Sequence, residues 1–255
     1  MRSERLTDME QYILSKENVS LEELSQQFGI STNTVRRDIS ELLERGTIRK
    51  VYGGVSSVLI NRPVGFSIRE RKNSEAKHMI GRMAAALVSD GSSVFLDSGS
   101  TTPTLLPHLS EKNSVTVITH SLAALYAASS FPNLNLISLG GIYSASTSSF
   151  VGISTLDSLS KLSIQTVFIS ASGVSIENGL TNGTYLEAEI KRNVVQRGNR
   201  VVLMADQSKF DHSSVISFCS FKQLYAIVTD KKPSPKYLDV IERNAIRLIY
   251  PGHEA

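Results

Sequence analysis

Three residues, Gly29-Ile30-Ser31, are all that separate two amphipathic stretches near the start of the chain, and so short a link leaves few folds open. Before it, VSLEELSQQF offers Ser20 as an N-cap with Glu23 three residues on, the pattern of a capping box. Leu21, Leu24 and Phe28 then share one helical face, and Gly29 stops the helix. After the link, Ser31 caps a helix whose inner face is Val35, Ile39, Leu42 and Leu43, ended by Gly46. An earlier helix, about residues 7–16, sets Leu6, Met9, Ile13 and Leu14 at helical spacing. Two helices on so tight a turn make a helix-turn-helix, with the second positioned as the reading helix.

The outward face of that helix carries Thr32, Asn33, Thr34, Arg36, Arg37 and Ser40, just after Ser31. Hydroxyl, amide and guanidinium groups suit base edges and phosphates. The acids Asp38, Glu41 and Glu44 fall in later turns, which fits a helix entering the major groove of double-stranded DNA by its N-terminal end. The run TIRKVYGG alternates as a wing strand would, with Arg49, Lys50 and Tyr52 near flanking phosphates or the minor groove. Bulk charge adds nothing here. Residues 1–62 hold nine Lys/Arg and nine Asp/Glu, a balance of zero, so only the arrangement is informative. The blander alternative is a small helical subdomain whose Arg36 and Arg37 pair with neighbouring acids; it leaves the turn spacing and the wing unexplained.

The chain is 255 residues long, enough for a small domain and a larger one. Residues 1–57 make the first, residues 58–74, with Pro63 and Gly65 and no sustained period, read as a linker, and residues 75–255 make the second. There, short β-branched runs such as VFLD, VTVITH, TVFISAS, RVVLMAD and YAIVTD alternate with helical stretches. That alternation predicts an α/β domain with a mostly parallel sheet covered on both faces, whose ligands bind at the carboxyl ends of the strands. Of the turns expected there, LDSGSTTPTLL is the sharpest. A strand ends, Gly99 permits a tight turn, and Ser100, Thr101 and Thr102 precede a helix, a constellation able to hold a phosphate. It has neither a Walker lysine nor dinucleotide glycine spacing, and taken alone it reads equally well as an ordinary Ser/Thr cap at a helix start.

These stretches resemble a known family. VSLEELSQQFGISTNTVRRDISELLERGTIRKVYGG is similar to the N-terminal signature of DeoR-type winged-helix regulators. The likeness continues through DSGSTT (97–102), THS (119–121), LGG (139–141), VG (151–152), SASG (170–173), GLT (179–181), DQSKF (206–210) and Asp230. It implies a winged helix-turn-helix followed by an effector domain similar to ribose-5-phosphate isomerase and CoA-transferase-like folds. It implies a repressor of a carbohydrate or polyol operon, in detail most like the myo-inositol-catabolism subgroup, released from its operator by a small phosphorylated sugar-derived effector. Asp97, Ser98, Gly99, Ser100, Thr101, Thr102 and Lys209 would line the effector pocket, with Lys191 nearby. Paired half-sites imply a homo-oligomer, dimer or tetramer.

The departures from the family pattern bear on that pocket. Ser144 stands where a cation is usual, Ala76 where a glutamate precedes Lys77, and Asp211 where a glycine follows SKF. A lost cation and a gained anion would weaken phosphate affinity or redirect specificity. Isomerases of this fold keep an acidic base on the turn that here holds Ser172, so no catalytic residue is expected; Glu187 and Glu189 read as a solvated helix face. Five scattered histidines lack metal-ligand spacing, and no cofactor is implied. The lone Cys219 excludes an internal disulfide, the N-terminus lacks a signal peptide's apolar core, and no stretch approaches the ~20 apolar residues of a membrane span. A cytoplasmic protein is expected.

Overall fold

The computed structural model describes residues 2–16, 18–44, 47–51, 53–57 and 65–253. Gly46, Tyr52, the Leu14 side chain and residues 58–64, all of which carry expectations above, lie outside the described residues. The chain divides into two compact units, Met1–Val64 and Gly65–Ala255.

The first unit runs α1 (Arg2–Lys16), β1 (Asn18–Ser20), α2 (Leu21–Phe28), α3 (Thr32–Glu44), β2 (Ile48–Val51) and β3 (Gly54–Ser57). Its three strands form one antiparallel sheet in the order β1-β3-β2. The local signals act as their chemistry dictates. Ser20 Oγ accepts from the Glu23 amide (3.0 Å), and Gly29 takes a left-handed φ of 61° to stop α2. Only half of the capping box forms, because the Glu23 carboxylate accepts instead from Tyr12 Oη (2.9 Å) and Lys16 Nζ (2.5 Å). Leu6, Met9, Ile13, Leu24, Val35, Ile39, Leu42, Ile48 and Val55 close a core beneath the helices and the wing.

The second unit begins with a correction. Residues 65–74 were read as linker, yet they contain α4 (Phe66–Arg71), which buries Phe66, before α5 (Ser74–Ala85). Six residues are too few to show a period, so the helix left no trace in the pattern. There follow β4 (Ser93–Leu96), α6 (Leu106–Leu109), β5 (Thr116–Thr119), α7 (Leu122–Ala128) and β6 (Asn135–Ser138). A hairpin, β7 (Ile142–Ser144) and β8 (Ser149–Val151), leads to α8 (Ile153–Ser160) and β9 (Thr166–Ile169). Next come β10 (Gly173–Ser175), β11 (Gly179–Asn182), α9 (Tyr185–Arg197), β12 (Arg200–Met204), β13 (Ile216–Cys219), β14 (Ala226–Val228), α10 (Pro235–Arg243) and β15 (Arg247–Ile249).

Seven strands pair in parallel in the order β15-β14-β12-β9-β4-β5-β6. Alternate residues feed opposite faces. Phe95, Ile118, Val167, Ile169 and Leu203 join the core under α8, α9 and α10, while Val94, Leu96, Val117, Phe168 and Val202 join the one under α5, α6 and α7. A smaller antiparallel sheet, β10-β11-β13, sits beyond the carboxyl end of β9. The chain moves outward from β4 to β6, returns beside β4 as β9, and then moves outward the other way. The order therefore reverses between β4 and β9, and the crevice beyond their carboxyl ends is where such sheets receive ligands.

Gly29→Ala tests the helix-turn-helix link. A Cβ there meets nothing within 4 Å, so the strain lies in the left-handed backbone alone. The variant should lose about 1 kcal/mol in denaturant unfolding of the first unit; an unchanged midpoint would refute the left-handed stop.

Candidate functional sites

In the first unit the face expected to read DNA lies on α3. Ser31, Thr32, Asn33, Arg36, Arg37 and Ser40 are exposed and Thr34 is half-buried. Ser31 and Thr34 are joined through their hydroxyls (3.0 Å), the Thr34 amide donates to Ser31 Oγ (3.3 Å), and Ser40 Oγ donates to the Arg36 carbonyl (2.9 Å). Those three hydroxyls cap or brace the helix, and the guanidiniums of Arg36 and Arg37 make no ion pair among the described residues. Asp38 is a correction. It does not stand on the outward face but is buried against α1, accepting from Arg5 Nε (2.9 Å) and Nη2 (3.4 Å). Arg49 and Lys50 are exposed on β2, opposite Ser56 and Val55.

In the second unit the turn after β4 is pinned at the reversal point. Asp97, fully buried, accepts at Oδ1 from the Gly99 amide (2.9 Å) and Thr102 Oγ1 (2.8 Å). At Oδ2 it accepts from the Ser170 amide (2.8 Å), Ser170 Oγ (3.0 Å) and Lys191 Nζ (2.8 Å). Burial opposes ionisation of Asp97, but the Lys191 ammonium and these donors hold its pKa below the usual carboxylate value. Lys191 also donates to the Ser170 carbonyl (2.8 Å) and lies 3.8 Å from Glu187 Oε1. Gly99 is required here: a Cβ would sit 1.8 Å from Ser170 Oγ.

Three residues expected to touch an effector are thus turned inward. The side chains of Asp97, Thr102 and Lys191 are committed to one another and to the turn. Ser98 is likewise buried, donating to Glu187 Oε1 (2.5 Å). Glu187 itself is a second correction, being buried rather than on a solvated face. It also accepts from Asn182 Nδ2 (2.7 Å) and Thr184 Oγ1 (3.2 Å). Burial disfavours its charge, yet Lys191 and its donors keep its pKa low. Glu189 does pair with Arg192 at the surface.

What the turn leaves open is backbone and cations. Among the described residues the amides of Ser98, Ser100 and Thr101 have no hydrogen-bond partner. Ser100 Oγ accepts from Lys77 Nζ (3.0 Å), and Lys77 also donates to the Arg69 carbonyl. Across the crevice, Asn73 Nδ2 donates to Asp206 Oδ1 (3.0 Å) and Ser208 Oγ (3.3 Å), tying the α4–α5 turn to the loop that carries Lys209. Burial lowers the Lys209 pKa; Asp206 opposes this, and Lys72, Arg69 and Lys191 add to it. Lys77 is pushed down to about 8, first by burial and then by Lys209 and Arg69 against the attraction of Asp206. Lys77 is thus within electrostatic reach of Lys209 and Arg69, and Lys209 of Lys72, Arg69 and Lys191. Sequence reading had noted Lys77 only in passing and missed Arg69 and Asn73, whose segment was read as linker. A cleft of 360 Å³, lined by Lys77, Ser100, Thr104, His78 and Phe131 among others, adjoins this crevice. A larger cleft of 630 Å³, along β11, β13, α9 and α10, contains none of these residues.

Three further positions complete the site. His120, fully buried after β5 and stacked on Phe95, directs Nδ1 to the Phe150 carbonyl (2.8 Å). A carbonyl partner demands a proton on Nδ1, and burial lowers the ring's pKa, so Nε2 is an acceptor; it has no partner among the described residues. Asp211 does not add an uncompensated anion. It pairs with Lys236 (2.6 Å), accepts from Tyr237 Oη (2.8 Å), and adopts the left-handed φ of 62° that a glycine would take without strain. Ser172 Oγ donates to Asn182 Oδ1 (3.3 Å), so the turn that would carry an isomerase's acidic base presents a hydroxyl.

Two family models cover the chain, a DeoR-like helix-turn-helix domain over residues 5–60 and a DeoR C terminal sensor domain over residues 72–231. The HTH-type transcriptional regulator IolR of Bacillus subtilis is 41% identical over 96% of this chain and 98% of its own length. The glycerol-3-phosphate regulon repressor of Escherichia coli is 29% identical over 90% of this chain and 91% of its own. Among solved structures, ribose 5-phosphate isomerase A of Methanocaldococcus jannaschii is 22% identical over 55% of each chain, with a TM-score of 0.41. With a helix-turn-helix domain, a sensor domain and regulators as its full-length relatives, the chain is a DNA-binding transcriptional regulator and belongs to the DeoR family.

Proposed function

We propose that this regulator represses a carbohydrate or polyol operon, with myo-inositol breakdown the pathway its likeness to IolR favours, and that a small phosphorylated sugar derivative releases it. The reading rests above all on the turn at the β4–β9 reversal, where Lys77 donates to Ser100 Oγ beside the unpaired amides of Ser100 and Thr101, with Lys209, Arg69 and Lys72 within electrostatic reach of one another. Such a place suits a phosphate dianion. Gly99, Ser100, Thr101 and Lys209 contact the effector in this reading, with Lys77 added to them. Asp97, Ser98, Thr102 and Lys191 hold the turn in shape. The glycerol-3-phosphate repressor's name supports a phosphorylated ligand of this size. Release requires the effector to bind the two states of the protein unequally. The protein acts in the cytoplasm as a symmetric oligomer, one reading helix for each half-site. No helix among the described residues is long and apolar enough to cross a membrane.

On the DNA side, Ser31, Thr32, Asn33, Thr34, Arg36, Arg37, Ser40, Arg49, Lys50 and Tyr52 form the contact set, with Arg36 and Arg37 as its anchors. Arg37→Ala should weaken operator binding by more than about 1 kcal/mol at fixed salt, measured by fluorescence anisotropy. Equal affinity would remove Arg37 from the set. On the effector side, a thermal-shift screen of sugar phosphates and phosphorylated inositol derivatives should find a stabiliser. Lys209→Ala should retain operator affinity while that stabilisation is lost; if every compound leaves the melting temperature unmoved, the crevice is not a phosphate site.

The pH dependence has a defined sign. Lys77 is charged below about 8, and a phosphate monoester becomes a dianion above a pKa of about 6. Affinity for the stabilising phosphate, measured by calorimetry, should be greatest between these values and fall as pH rises through 8. Rising affinity from pH 7 to 9 would contradict a role for Lys77.

A further inference from the structure

Between Lys112 and Asp157 the sequence carries no Asp, Glu, Lys or Arg, although one residue in five of the whole chain is charged. Folding gathers this stretch at one end of the sheet. It forms β5, α7, the outermost strand β6, the β7–β8 hairpin and the first turn of α8. Ile142 pairs with Val151 beside Gly152 and Ile153, and Thr155 Oγ1 donates to the Gly140 carbonyl (2.7 Å). The end of β6, the hairpin and the start of α8 therefore make one continuous surface.

That surface is unfinished by the standards of the rest of the unit. β6 alone of the seven strands has every residue exposed, Leu136 and Ile137 on its two faces included. Among the described residues its outer edge pairs with no strand. Around it stand Tyr126 (82% exposed), Ile142 (70%), Tyr143 (49%) and Ile153 (85%). The opposite edge strand, β15, carries a charged residue, Arg247, and buries Ile249. Charges on an edge are the usual guard against strand pairing, and β6 lacks them. An apolar patch without a charge is also what the centre of a protein interface looks like.

We propose that β6 and its neighbours form the contact between two copies of this chain, the two β6 edges meeting about a two-fold axis. A patch that must face itself cannot carry a net charge without repulsion, and this one carries none. A two-fold contact is isologous, so each exposed side chain meets the same surface on its partner. Residues 135–138 and 140–146 are all at least partly exposed, and with α7 and the start of α8 they approach the roughly 20–30 residues a side that a stable dimer needs. Pairing of β6 with its copy would join two seven-stranded sheets edge to edge and satisfy the open backbone groups. The proposal draws on the paired half-site reading only for its symmetry and stands apart from the effector.

Sedimentation of the full chain at micromolar concentration tests it. Wild type should sediment at twice the chain mass or as a multiple built from that pair. Ile137→Asp and Ile142→Asp should each shift it toward half that size, while Val215→Asp, an exposed apolar position outside the stretch, should change nothing. Amide exchange provides a readout independent of how the variants fold: residues 135–138 of wild type should be protected at high concentration and lose that protection on dilution. A monomeric wild type, assembly that survives both substitutions in folded variants, or protection at 135–138 that ignores concentration would each overturn the proposal. Operator and effector binding are measured separately, so failure here leaves the assignment of the reading helix and the crevice untouched.

Discussion

The ion pair between Asp97 and Lys191 is the constraint on which the second unit's functional edge depends. It joins the end of β4 to α9 beside the point where the strand order reverses, with both side chains buried. Burying two charges is costly, and the pair stands because its remaining hydrogen-bonding capacity is filled by Ser170, Gly99 and Thr102. Removing one partner from such a pair costs about 3–5 kcal/mol, since a lone charge would be left in the interior. Glu187, Ser98 and Asn182 extend the network to β11. Four elements distant in sequence are thereby held at one point.

A turn so fully satisfied from beneath is rigid, and its upper side inherits that rigidity. Side chains that resemble ligand contacts in the sequence, Asp97 and Thr102 above all, support the backbone whose amides remain open. On the proposed reading, this division explains how an acid can stand in a turn that binds an anion. The carboxylate is aimed inward, neutralised by Lys191, and does not repel an anion above it. Preorganised amides lose little freedom on binding, which favours affinity from few contacts.

The first unit was legible because its signals are local. Ser20, Gly29 and Ser31 act within three or four residues of themselves, and the apolar spacing of Val35, Ile39 and Leu42 needs no partner to be read. The alternation of the seven parallel strands was legible for the same reason. The misreadings share a different cause. Asp38 is buried by Arg5, 33 residues away, and Glu187 by Ser98, 89 residues away, and no local pattern announces either contact. The short strands GVS and GLTN have too few residues to show a period of two, and α4 too few to show one of 3.6. The orphan acceptor on His120 depends on ring orientation, which one letter in THS does not encode.

The energetics of release, on the proposed reading, follow from the cost of the empty crevice. Lys77 and Lys209 hold depressed pKa values because burial, and after it the repulsion of neighbouring cations, disfavours their charge. A dianion entering between them relieves that repulsion, so much of its binding energy depends on the cations being gathered. Moving a two-state equilibrium from 1:99 to 99:1 takes about 5.5 kcal/mol of differential affinity. Hydrogen bonds to charged groups contribute about 1.5–3 kcal/mol each, so two or three contacts made in only one state would suffice. Asn73 binds the α4–α5 turn to the Lys209 loop through Asp206, so the two segments that carry the lysines are tied to each other. α4 directly follows the segment that leads from the reading unit. The stretch that reads as linker thus includes α4, which is part of the second unit's own fold.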